Sequence, residues 1–121
     1  MSAETVLVVD DDPAILELVA LALDDMGYRV LTAVGDAALD VAHNERPDVI
    51  LLDVNMPGMD GVEISQRLRA DPATADIPII AISAHEQLQA TADLLKADDR
   101  LPKPFLIRDL YDAVALWMRV A

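Results

Sequence analysis

Asp10, Asp11, Asp53, Ser83 and Lys103 are the residues of this chain whose types, taken together, suit a chemistry. Each closes or follows a short run that reads as a strand: Val6-Leu7-Val8-Val9 before the acidic pair, Ile50-Leu51-Leu52 before Asp53, Ile80-Ala81-Ile82 before Ser83, and Arg100-Leu101-Pro102 before Lys103. Three carboxylates held close together repel one another, and a hard divalent cation with oxygen ligands relieves that repulsion. Mg²⁺ suits such a site, because it takes few carboxylates and completes its shell with a carbonyl, waters and phosphate oxygens. A site of that kind is finished only when a phosphoryl group arrives. Transfer of the group to a carboxylate then requires neutralisation of its charge by the metal, by a lysine and by hydroxyl or backbone donors. Asp53, Ser83 and Lys103 fit those roles.

Residues so far apart in sequence meet only if the elements before them end on one rim. Val6-Leu7-Val8-Val9 is a continuous aliphatic run, as in a strand buried on both faces. A helix follows at once, with Asp12 as N-cap and Pro13 at its first position, an apolar stripe of Ile15, Leu18, Val19 and Ala22, and Gly27 as its stop. The same alternation predicts strands over 29–33, 48–52, 77–82 and 100–102. Helices are expected over 36–44, 61–70, 86–95 and 107–120, the last carrying Ile107, Leu110, Tyr111, Val114 and Trp117 on one face. Five strands alternating with five helices call for a doubly wound α/β sandwich, a parallel sheet covered on both faces by right-handed crossovers. Ligands in that architecture bind beyond the carboxyl ends of the strands, where the five chemical residues fall. Spacing does not give the strand order.

The 121 residues fit one domain spanning 1–121, and 54% hydrophobic content is enough to fill its core. Cysteine is absent, which excludes disulfides, thiolate metal sites and a cysteine nucleophile. Nine basic against 22 acidic side chains give a net charge of −13, which repels the phosphate backbone of nucleic acid, so no direct nucleic-acid partner is expected. No apolar run reaches the roughly 20 residues of a membrane span, and the opening MSAETVLVVDDD has no basic leader region. A cytoplasmic protein with no membrane partner is the expectation.

The blocks VLVVDDDP, VILLDVNMPGMDG, IIAISA and KPF, in this order and spacing, resemble the signature blocks of response-regulator receiver domains over essentially the whole chain. The resemblance implies the flavodoxin-like (βα)5 fold with sheet order 2-1-3-4-5, which is the order of chemotaxis receivers. It implies Asp53 as phosphoacceptor and Asp10 and Asp11 as the acidic pair, with Asp11 the more direct ligand of Mg²⁺, for which Mn²⁺ can substitute. Asn55 would give the metal its backbone carbonyl. Ser83 would turn its hydroxyl toward the phosphoryl group, and Lys103, before a cis Pro104, would pair with it. The implied partners are a histidine kinase or histidine phosphotransfer protein as donor and a downstream effector protein, with the domain acting alone. A receiver is not an enzyme on other molecules, since it catalyses only its own phosphorylation and dephosphorylation.

Other readings stand beside this one. Asp10-Asp11-Asp12 contains a DxD after the first strand, as in a small aspartyl phosphatase of the haloacid-dehalogenase kind with Asp10 as nucleophile, although that leaves Asp53 and NMPGMDG without a role. A pseudo-receiver, working by contact alone, keeps the fold without the chemistry. Ser83 alone could cap a helix, and Asp12 is fully explained as a cap. His43 reads as a solvated helix residue, and Trp117 and the methionines as packing. The chain departs from the family at Arg100, where receivers carry an aromatic switch residue, at Lys96 in place of a helix-ending glycine, and at Pro102 inside the fifth strand. An arginine should stay outward, paired with Asp98, Asp99 or Glu86, because burying it unpaired costs several kcal/mol. Pro102 requires that strand to be an edge.

Overall fold

Val6 to Val9 are at most 1% exposed, as expected of a strand covered on both faces. They belong to β1 (Thr5–Val9), which pairs in parallel with β2 (Arg29–Ala33) on one side and β3 (Val49–Asp53) on the other. β4 (Ile79–Ala84) pairs with β3, and β5 (Asp99–Lys103) with β4. The five parallel strands thus form one sheet of order β2-β1-β3-β4-β5, as the resemblance implies. The computed structural model describes residues 4–53, 61–84, 97–103 and 105–118, with backbone alone at 83 and 84.

Four helices lie among these residues: α1 (Pro13–Asp25), α2 (Ala37–Glu45), α3 (Gly61–Ala70) and α4 (Ile107–Met118). The period-2 alternation of strand side chains divides the core into two layers. Leu7, Val9, Ile50, Leu52, Ile79 and Ala81 pack with Ala38 and Ala42 of α2 and Ile64 and Leu68 of α3. Val6, Val8, Val49, Leu51, Ile80, Ile82 and Leu101 pack with Val19 and Leu23 of α1 and Leu110 and Val114 of α4. α1 begins as expected, with Asp12 accepting from the Ala14 N–H at 2.9 Å ahead of Pro13. It ends before Gly27, whose φ of +94° favours a residue without a side chain. The first helix is thereby fixed directly behind the acidic pair.

β5 lies at the sheet edge, so the missing N–H of Pro102 costs no ladder bond on its open side. β4 starts two residues later than its aliphatic run suggests. The Ile77 N–H closes a turn onto the Thr74 carbonyl, and Pro78 offers only its carbonyl, which accepts from the Ile50 N–H at 2.9 Å. The expected helix over 86–95, Lys96 and the geometry of Pro104 lie outside the described residues.

Arg100 is exposed, as anticipated, but Asp98 and Asp99 are engaged elsewhere. Asp99 accepts the indole N–H of the half-buried Trp117 at 2.8 Å, and its other oxygen accepts the Arg100 backbone N–H. The Asp98 carboxylate accepts from the Ile79 N–H at 2.9 Å and from Arg69 Nη2 at 2.6 Å, while Arg69 Nη1 donates to the carbonyls of Ala75 and Ile77. This clamp joins the end of α3 to the entries of β4 and β5. Arg69→Ala removes the donor from two carbonyls and the ion pair from Asp98, which keeps the Ile79 N–H, and should lower unfolding stability by about 2 kcal/mol in urea titration. A loss below about 0.5 kcal/mol would show that water replaces the guanidinium without cost.

Candidate acidic phosphoryl-transfer site

The strand register assembles the site. Val9 is level with Leu52 and Asp53 with Ile82, so Asp10 and Asp53 lie side by side as their strands end, with Ser83 one step beyond. Ala84 is level with Lys103, which brings the lysine to the same rim. Asp10 and Asp53 are only 1% and 2% exposed, whereas Asp11 is half-buried. Lys103 Nζ sits 3.3 Å from Asp53 Oδ1 and 3.9 Å from Asp10 Oδ2. Asp10, Asp11 and Asp53 each present an oxygen within 4.8 Å of the others. Of the residues singled out in the sequence, these four converge as expected. The backbone of Ser83 is on the same rim, and Asn55 lies outside the described residues.

Asp10 carries the strain of the arrangement. Its Oδ1 accepts the Asp12 N–H at 3.0 Å, but Oδ2 is buried with no hydrogen-bond partner. Burial pushes its pKa from 3.8 up to about 6, the Asp53 charge adds to the rise, and the Asp12 N–H and Lys103 oppose it. A buried carboxylate oxygen that accepts no hydrogen bond, with two further carboxylates beside it, fits a hard divalent cation. Asp10, Asp11 and Asp53 would hold it. The Asp12 N–H contact was not readable in advance, because Asp12 as a cap accounts for its side chain and says nothing of its backbone.

The raised pKa has a stability consequence in metal-free protein. Between pH 3.8 and about 6 the folded state keeps a proton on Asp10 that the unfolded state releases, so stability falls as pH rises through that interval. In EDTA, Asp10→Asn should therefore exceed the parent at pH 7 by on the order of 2 kcal/mol, with a flatter stability profile from pH 4 to 7. Saturating Mg²⁺ should reverse the order by stabilising the parent. Superimposable urea-denaturation profiles of the two proteins across this range would contradict the electrostatic account.

Residues 6–115 match the family model described as the response regulator receiver domain. Among curated proteins, the DNA-binding dual master transcriptional regulator RpaA of Synechocystis is 40% identical over 94% of this chain and 48% of its own length. The chain spans about half or less of the length of the curated relatives it matches. Among solved structures, the receiver domain of sensor histidine kinase PA1611 from Pseudomonas aeruginosa has a TM-score of 0.87 at 30% identity, covering 97% of this chain and 98% of that one. It holds a magnesium ion coordinated in its active site cleft. The chemotaxis response regulator CheY4 of Vibrio cholerae gives a TM-score of 0.87 at 32% identity, covering 96% and 99%.

Proposed function

Because the chain belongs to the response regulator receiver domain family, we propose that it takes one phosphoryl group onto Asp53 from a histidine kinase or histidine phosphotransfer protein and signals by altered binding to an effector protein. The observation that carries this reading is the buried Asp53 carboxylate, 3.3 Å from Lys103 and beside Asp10 and Asp11. Asp10, Asp11, Asp53 and the Asn55 carbonyl would hold Mg²⁺, or Mn²⁺ in its place, which would neutralise charge at the phosphoryl oxygens. An Asp53 oxygen forms the new P–O bond, and the donor's bond to phosphorus breaks with its electron pair. Lys103 meets the charge on the transferred group, and the Ser83 hydroxyl is assigned to donate to it. Asp10 is the poorer candidate for the nucleophile, since the Asp12 N–H holds one of its oxygens.

The net charge of −13 supports protein partners over direct contact with nucleic acid. The chain is proposed to have no enzymatic action on other molecules. The stoichiometry of acetyl phosphate consumption in Mg²⁺ tests the acceptor reading and this lack of turnover. The expected result is a single hydroxylamine-labile phosphoryl group per chain and phosphate release only at the rate at which that group is lost. Rapid release of many phosphates per chain favours an aspartyl phosphatase instead.

A further inference from the structure

A cavity of about 440 Å³ opens beside the acidic rim, lined by Ile15 and Leu18 of α1, Lys103 of β5, Phe105, and Ile107 of α4. Its volume is in the range of small-molecule sites. Lys103 belongs both to this cavity and to the site, where its Nζ faces Asp53. Asp53 and Lys103 also continue the strand rows of Leu51 and Leu101, which pack toward α1 and α4, the two helices that contribute to the cavity. The chain carries 22 acidic residues, yet among the described residues lining this space the charged group is a cation. Leu18 leaves 52% of its surface to water there. Apolar surface that shares its cation, Lys103, with the candidate phosphoacceptor suits a ligand with an anionic head and a hydrocarbon tail.

Resting on the reading of Asp53 as phosphoacceptor, we propose that this cavity receives the hydrocarbon tail of a small-molecule acyl phosphate, so that donors with longer apolar acyl groups phosphorylate the chain faster than acetyl phosphate. In the transfer, an Asp53 carboxylate oxygen forms a P–O bond as the bond from phosphorus to the acyl oxygen breaks. The electron pair leaves with the donor's carboxylate, and no proton or redox equivalent is exchanged. Straight-chain carboxylates differ little in basicity, so a rate difference along the series reports binding of the tail rather than leaving-group chemistry. A fully buried methylene is worth roughly fourfold, and partial burial of a hexanoyl tail predicts at least about a tenfold advantage over acetyl phosphate at low donor concentration.

The test is the initial rate of Asp53 labelling in Mg²⁺ by acetyl, butyryl and hexanoyl phosphate, read by intact mass for the parent and for Leu18→Gln. The expected result is a rate that rises along the series in the parent and a hexanoyl-to-acetyl ratio that falls toward one in the variant. Equal rates along the series, with acetyl phosphate labelling Asp53, would overturn the cavity assignment and leave the acceptor reading intact. A preference that survives unchanged in Leu18→Gln would also overturn it. No labelling by any of the three donors would overturn the acceptor reading and the inference together.

Discussion

Asp53→Ala should take up no phosphoryl group from acetyl phosphate and Mg²⁺ under conditions that fully load the parent, a fall of at least about a hundredfold in labelling. Asp53 is the last residue of β3, 2% exposed, and pairs with Lys103 rather than packing in either apolar layer. Truncating it removes the attacking oxygen and one of the three converging carboxylates, but no part of the hydrophobic core. The variant should therefore keep the parent's circular dichroism spectrum. It should also bind Mg²⁺ more weakly, since one of the three proposed acidic ligands is lost. Undiminished labelling of a folded Asp53→Ala chain would remove Asp53 as acceptor.

Lys103→Met should leave Asp53 in place and slow its labelling by about a hundredfold, the scale on which a single preorganised charge or donor acts in a transferring site. The methionine keeps an apolar stem of similar length and deletes only the ammonium that stands 3.3 Å from Asp53 and 3.9 Å from Asp10. Because Lys103 opposes the rise in the Asp10 pKa, the variant should also titrate Asp10 at a higher pH in metal-free protein. Carboxyl NMR shifts read the titration and intact mass reads the rate. A rate within about threefold of the parent, with an unmoved Asp10 titration, would show that the lysine charge serves neither role.

Much of this was legible in the sequence because the signals were local. Val6 to Val9 and Ile50 to Leu52 read as buried strands because a parallel sheet leaves them no polar face, and Asp12, Pro13 and Gly27 punctuate α1 by backbone rules that need no tertiary context. The chemical residues could be found because each falls where a strand ends. Their mutual distances could not, since these depend on register, a property of pairs of strands. The Arg69 clamp was invisible for the same reason: an arginine in the last turn of a helix is ordinary, and its partners Ala75, Ile77 and Asp98 meet it only through the fold. Assigning Asp98 to Arg100 weighed sequence proximity and missed an arginine on another element. His43 behaves as read, exposed on α2, although its Nδ1 meets Asp71 at 2.7 Å and helps hold that carboxyl below its usual range.

Asp53 is the residue on which the proposed phosphoryl chemistry depends. Tandem mass spectrometry of the chain loaded by acetyl phosphate and Mg²⁺, trapped in acid and cleaved into peptides, locates the modified residue directly. The expected result is one modified carboxylate, Asp53, on the peptide that carries the end of β3. A phosphoryl group on Asp10, or on any residue away from this rim, would contradict it.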